Sequence, residues 1–190
     1  MVGLADLWIP ILVSGVLVFV VSSIIHMVIP IHRGDYGKLP GEDSVRAALR
    51  LQGVKPGSYM FPCAGSMKEM CTPEHLAKMT EGPVGNMTIL PNGPPKMGKH
   101  LLQWFLYSLM IGVFTGYITG ISTAAGAEYM DVFRRAGTVA ILGYATAPFP
   151  DSIWKGVSWK ITGKFIFDGI LYGLATAGAF AWLWPGPQTP

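Results

Sequence analysis

Residues 101–127, LLQWFLYSLMIGVFTGYITGISTAAGA, contain no Asp, Glu, Lys or Arg over 27 consecutive positions. A helix needs about 20 mainly apolar residues to cross the hydrocarbon core of a bilayer, so this stretch is long enough to span a membrane. Leu7 to Ile31 carries no formal charge and only one histidine, His26, and residues 169–190 are also uncharged. We therefore expect an all-α membrane protein.

Composition supports this expectation. The 190 residues are 51% hydrophobic and 13% charged, whereas ordinary soluble domains have about 25% charged residues. The first apolar stretch lacks the basic residues that open a signal peptide, since only Asp6 precedes it, and we interpret it as a retained helix. A net charge of +3 without a basic stripe gives no indication of nucleic-acid binding.

A further span is predicted around residues 136–150, although only these fifteen residues are uncharged. Lys and Arg flanking short loops stay on the cytoplasmic side of a membrane. Four spans with the N-terminus outside would put twelve basic residues inside and two, Arg134 and Arg135, outside. Three spans would leave five outside. The charge distribution therefore favours four spans.

The predicted organisation follows from these spans. Residues 1–31 form the first transmembrane helix, residues 32–99 form a cytoplasmic segment, and residues 100–190 form three more transmembrane helices. Both termini then lie on the outer side of the membrane. Tryptophans fall at both predicted interfaces, as in the aromatic belts of membrane proteins.

Small residues recur every four positions in two of the predicted spans. In lipid, such faces let helix backbones approach closely and pack. A bundle this small can cover only some of these faces itself, which favours an additional protein partner. The residues are Ser108, Gly112, Gly116 and Gly120 in the second span and Gly169, Gly173 and Ala177 in the fourth.

The cytoplasmic segment has its own secondary-structure signals. Residues 41–52 begin with acidic residues, place apolar residues on one face and are followed by glycine, so they predict an amphipathic helix. Thr72-Pro73-Glu74 is typical of a helix start, and the helix should end near Glu81. Residues 58–61 and 86–90 are short strand candidates. We expect a small α+β segment.

Two candidate cofactor sites are suggested by potential ligands, namely histidine nitrogens in one site and cysteine and methionine sulfurs in the other. His26 and His100 should lie at similar depths and could hold a haem between two helices, or they could be ordinary interfacial histidines. His32 and Asp35 could join that site, although Arg33 would oppose a cation. Two cysteines and several methionines could bind Cu(I), but packing explains methionine better, and we expect no metal site and no cofactor.

A possible polar site consists of Asp151, Lys155 and Asp168. Asp168 should lie about one turn inside the fourth helix, where pairing with Lys164 or contact with water would satisfy it. The predicted midplane lacks ionisable residues, which argues against ion transport. No catalytic motif is present, so no catalytic residue is assigned and an enzyme is not favoured.

Five motifs carry a resemblance to known proteins: SSIIHMVIPIHRGDYGKLPGED (22–43), EGPVG (81–85), LPNGPPKMGKHL (90–101), DSIWKG (151–156) and AWLWP (181–185). They resemble a group of small bacterial membrane proteins whose motifs carry no assigned chemistry. The resemblance implies a bacterial inner-membrane location, with both termini periplasmic, and assigns no catalytic or binding residue.

These observations predict a non-catalytic accessory or structural subunit of a larger bacterial inner-membrane complex, for example an energy-transducing one. The expected partners are the lipid bilayer and other membrane subunits. Two alternatives remain open: a small homo-oligomeric transporter or channel with Asp168 or Tyr144 lining the path, and a redox protein with haem between His26 and His100.

Overall fold

Most of the chain is helical in the computed structural model, which describes residues 1–187. The chain divides into two compact units. A bundle unit comprises residues 1–35, 96–152 and 157 onward, and a second unit comprises residues 36–95 with 153–156. The helices are α1 (Trp8–Ser23), α2 (Glu42–Leu51), α3 (Met67–Met70), α4 (Pro73–Glu81), α5 (Met97–Ser122), α6 (Tyr129–Ala145), α7 (Phe149–Lys155) and α8 (Trp159–Trp182), and the strands are β1 (Gly57–Phe61) and β2 (Gly85–Ile89).

Three helical segments are long and apolar enough to cross a membrane. They are Leu4–Val28, which contains α1, then Met97–Ser122 and Trp159–Trp182. Helix α6 is not among them because it has only 17 residues and carries Asp131, Arg134 and Arg135 in its first turns. The fourth span therefore stays a prediction.

In the bundle unit, α1 contacts α5 and α8, and α6 contacts the same two helices, so the four form a ring. The Val2 N–H donates to the Gly120 carbonyl at 2.9 Å, and the Gly126 N–H donates to the Pro185 carbonyl at 2.8 Å. These bonds place the start of the chain, the α5–α6 loop and the residues after α8 at one end. Successive bundle helices consequently run in opposite directions.

The small-residue face of α5 packs within the chain. Ser108, Gly112, Gly116 and Gly120 are all buried. A Cβ atom on Gly112 would lie 3.2 Å from the Ser14 Oγ, and one on Gly120 would lie 2.6 Å from the Val2 carbonyl oxygen. Glycine is therefore needed where α1 and the N-terminal residues approach α5.

The small-residue face of α8 packs against α6. Gly169, Gly173 and Ala177 are buried. A Cβ atom on Gly169 would lie 2.6 Å from the Ala145 Cα, and one on Gly173 would lie 2.9 Å from the Ile141 backbone nitrogen. Since both faces are covered inside the bundle, they do not themselves call for a partner protein.

The second unit confirms the predicted local structure. Strands β1 and β2 pair antiparallel, with Gly57 opposite Ile89. Helix α4 begins as predicted, because the Thr72 hydroxyl accepts a hydrogen bond from the His75 N–H at 3.3 Å. His75 is the one buried residue in the range 36–95. This segment thus has secondary structure but almost no core.

Candidate functional site

Five ionisable side chains meet in the bundle unit, and we call them the polar cluster: His26, His32, Asp35, Lys164 and Asp168. They come from three local structures. His26 lies in a π-helical turn, Ile24–Val28, that continues α1. His32 ends a 3₁₀ turn that Pro30 opens, and Asp35 follows it. Lys164 and Asp168 lie one turn apart on α8.

His32 is held between two carboxylates. Its Nδ1 lies 2.6 Å from Asp35 Oδ2, and its Nε2 lies 2.8 Å from Asp168 Oδ2. Each imidazole nitrogen thus faces a carboxylate oxygen, which accepts a hydrogen bond from whichever nitrogen carries a proton. The contact with Asp168 joins the segment after α1 to α8.

Lys164 pairs with Asp35 rather than with Asp168. Its ammonium group donates to Asp35 Oδ1 and, at 2.7 Å, to the Ile31 carbonyl. The Lys164 ammonium, with a smaller effect from His32, holds the pKa of Asp35 below its usual range. Of the two partners expected for Asp168, Lys164 pairs with Asp35 instead, and His32 contacts Asp168. Helical side chains lean towards the N-terminus of their helix, which takes Lys164 away from Asp168.

Asp168 is the most deeply buried member of the polar cluster, with 1% of its surface exposed. It is the tenth residue of α8, which places it about 13 Å along the helix axis. This is deeper than the single turn predicted, because α8 already begins at Trp159. Oδ2 contacts His32, whereas the buried Oδ1 has no hydrogen-bond partner within residues 1–187.

His26 is the accessible member of the polar cluster. Its side chain is 41% exposed, and its Nε2 lies 3.8 Å from Asp168 Oδ2 and 3.4 Å from the Tyr172 hydroxyl oxygen. Its ring lies 4.5 Å from the His32 ring, measured between centroids. The predicted partner, His100, is instead exposed on the first turn of α5 and belongs to no potential metal-ligand group in the described part of the chain.

The other two residues of the predicted polar site lie on α7. The Asp151 carbonyl accepts a hydrogen bond from the Val157 N–H at 3.2 Å, and the Lys155 carbonyl accepts one from the Asn86 side chain at 3.4 Å. Neither residue belongs to the polar cluster. Cys63 and Cys71 are exposed free thiols.

The polar cluster offers a site for a cation. One ligand atom each from His26, His32 and Asp168 lies within 4.8 Å of the other two. Residues 32–35, HRGD, already indicated His32 and Asp35 as candidate ligands. Their contacts with α8 join residues up to 136 positions apart, so no local sequence pattern predicts them.

Comparison with protein-family models, with curated proteins and with solved structures finds no match to this chain.

Proposed function

We propose that the chain is a four-span protein of a bacterial inner membrane and a non-catalytic subunit of a larger membrane complex. Its three long apolar helices support membrane insertion. The outward faces of α1 and α5 expose large apolar side chains, which lipid would cover and water would not favour. They include Trp8, Leu12, Val16, Val20, Leu106, Met110, Phe114 and Ile118.

The proposal makes α6 the third span. Its charged residues lie in its first turns, where long side chains can reach the interface. Val2 bonds to Gly120 near the end of α5, and Pro185 bonds to Gly126 in the α5–α6 loop, so both ends of the described chain lie at one end of the bundle. An even number of membrane crossings requires this arrangement. With segment 32–99 cytoplasmic, that end is periplasmic.

The observation that carries the subunit proposal is the missing core of the second unit. Tyr36, Leu51 and Leu90 are 92%, 85% and 72% exposed, and several methionines of the same unit are also exposed. A segment of about 60 residues is hard to stabilise even when it buries its apolar side chains. Exposed apolar surface of this kind marks a protein interaction site. The proposed occupant is the water-facing surface of another membrane subunit.

The test is the composition of the native particle, extracted in mild detergent from its own membranes at its own expression level. We expect fixed-ratio co-migration with at least one other polypeptide. A Leu51→Ser/Leu90→Ser variant should lose that partner, whereas a Lys68→Gln/Glu81→Gln variant, altered at exposed polar positions of the same unit, should retain it. A native particle that contains only this chain would contradict the subunit proposal.

A second candidate function is transport by a homo-oligomer, and buried Asp168 favours it. Ionisable groups inside a membrane often mark ion or proton pathways. Tyr144, the other predicted lining residue, is buried among aromatic rings and donates to the Ser108 carbonyl at 3.4 Å. Reconstituted protein should then carry an ion or proton flux that Asp168→Asn abolishes. An equal flux through both proteins would exclude a role for Asp168.

Haem between His26 and His100 stays a third hypothesis. His26 lies beside His32 and Asp168, and His100 lies on the first turn of α5. A colourless protein purified from its own host would exclude it.

A further inference from the structure

We propose that His26, His32 and Asp168 bind a divalent transition-metal ion of the zinc class. The nearest ligand atoms lie 2.8 Å apart between His32 Nε2 and Asp168 Oδ2, and 3.8 Å apart between His26 Nε2 and Asp168 Oδ2. Ligands at 2.0–2.1 Å from a tetrahedral zinc ion are about 3.3 Å from each other. The ligand atoms of His26 and His32 lie within 4.8 Å of each other. Shifts of about half an ångström at the first two pairs, and of at most about 1.5 Å at the third, would therefore form the site.

Two atoms of the polar cluster have few polar contacts within residues 1–187. Asp168 Oδ1 is buried without a hydrogen-bond partner, in a side chain that is only 2% exposed. His26 Nε2 has one long hydrogen bond, at 3.4 Å to the Tyr172 hydroxyl, and lies 3.8 Å from Asp168 Oδ2. The ion pairs of His32, Asp35 and Lys164 give neither atom a closer partner. A metal ion would bind His26 Nε2 and, if both carboxylate oxygens of Asp168 held it, would also give Oδ1 a partner.

Asp35 occupies the position of an outer-shell partner. Histidines that bind metals generally donate their other ring nitrogen to a carboxylate or carbonyl, which orients the ring and raises its basicity. His32 Nε2 faces Asp168 while its Nδ1 lies 2.6 Å from Asp35. Lys164 in turn holds Asp35 and the Ile31 carbonyl. His32 is thus oriented before any ion arrives.

The ligand set determines the class of ion. Two imidazoles and one carboxylate suit zinc and its neighbours in the first transition row, whereas magnesium and calcium prefer oxygen ligands. Three protein ligands leave a coordination position open, as in sites that exchange a water or a small ligand. Exposure of His26 puts that position on the accessible side of the cluster.

The test measures Zn²⁺ binding to the full-length chain in mild detergent, purified without a histidine tag. The background protein carries Cys63→Ser and Cys71→Ser, which remove the two exposed thiols. Thiolates are zinc ligands and would add binding outside the proposed site. Isothermal titration gives affinity, dialysis with elemental analysis gives stoichiometry, and Co²⁺ absorption reports coordination. The variants are His26→Gln and Asp35→Asn, with His100→Gln as the matched control.

We expect one Zn²⁺ per chain in the background protein and in His100→Gln. His26→Gln is the decisive variant, because it removes a ligand and leaves the His32–Asp35–Lys164–Asp168 contacts intact. It should bind at least about 100-fold more weakly and lose the Co²⁺ bands, and Asp35→Asn should weaken binding about 10- to 100-fold. Absence of stoichiometric zinc in the background protein, or equal affinity in His26→Gln, would overturn the proposal. Because the experiment involves no partner protein, its outcome is separate from that of the subunit proposal.

Discussion

At the scale of the residue, the free energy of Asp168 depends on what surrounds its carboxylate. A charge removed from water is costly unless a partner compensates it. His32 supplies that partner through a contact of 2.8 Å, and both side chains are largely shielded from solvent. The segment after α1 and helix α8 therefore depend on each other through one pair of side chains.

Replacing Asp168 by Ala should destabilise the protein by about 1–3 kcal/mol, since His32 Nε2 loses its carboxylate while Asp35 still contacts Nδ1. The double variant with His32→Ala should be less destabilised than the sum of the single variants, with a coupling of about 1 kcal/mol or more. Unfolding of the detergent-solubilised protein, followed by circular dichroism, measures both quantities. Strictly additive losses would show that the two side chains do not stabilise each other.

Asp35 gives the polar cluster a pH dependence in acid. Its folded-state pKa is lowered from the ordinary value of 3.8, chiefly by Lys164. The stabilisation is therefore complete well above pH 3.8 and is lost as the pH falls through the lowered pKa of the folded state. Asp35→Asn should remove this part of the acid sensitivity, whereas Asp43→Asn, at an exposed position on α2, should leave it unchanged. Unfolding curves between pH 3 and pH 6 test the difference.

At the scale of the element, α8 needs glycine, which has no side chain, where it packs against α6. Gly169→Ala should destabilise the bundle by about 1–3 kcal/mol, because its Cβ would meet the backbone of α6 at Ala145. Gly178→Ala is the matched control on the same helix, since a Cβ there meets nothing within 4 Å. The control should change stability by no more than about 1 kcal/mol, in the stabilising direction, because Ala favours helix over Gly. Thermal unfolding of the two variants compares these effects, and equal losses would contradict close packing at Gly169.

Elements whose signals are local were predictable, and contacts between elements were not. The proline and hydroxyl at Thr72–Pro73 correctly indicated the start of α4. The small residues that recur at every fourth position of α5 and α8 are buried in the bundle. The contact between His32 and Asp168 has no comparable local signal, because it joins residues 136 positions apart.

At the scale of the whole molecule, the proposed topology makes the two native cysteines natural reporters. Cys63 and Cys71 are exposed and lie in the segment proposed to be cytoplasmic. An impermeant maleimide added to intact spheroplasts should leave both unlabelled, and added to inverted membrane vesicles it should label them. Labelling in intact spheroplasts would reverse the proposed orientation.

The number of spans is tested at the other end of the chain. Gly186 is exposed and follows α8, so Gly186→Cys in a background lacking the native cysteines reports the side on which α8 ends. Four spans predict labelling in intact spheroplasts, on the same side as the N-terminus. Three spans predict protection there and labelling only in inverted vesicles, which would remove α6 from the membrane.

The π-helical turn at residues 24–28 carries a consequence for how this chain can vary. In that turn the Ile29 N–H bonds to the Ile24 carbonyl, five residues back, so the turn holds one residue more than an α-helical turn does. Deleting a single residue there would let the turn close as α-helix and rotate the downstream residues by about 100° relative to α1. His26 and His32 would then face different neighbours even with every side chain retained. In any lineage of such chains, insertions and deletions at this turn should therefore be selected against as strongly as substitutions of the histidines.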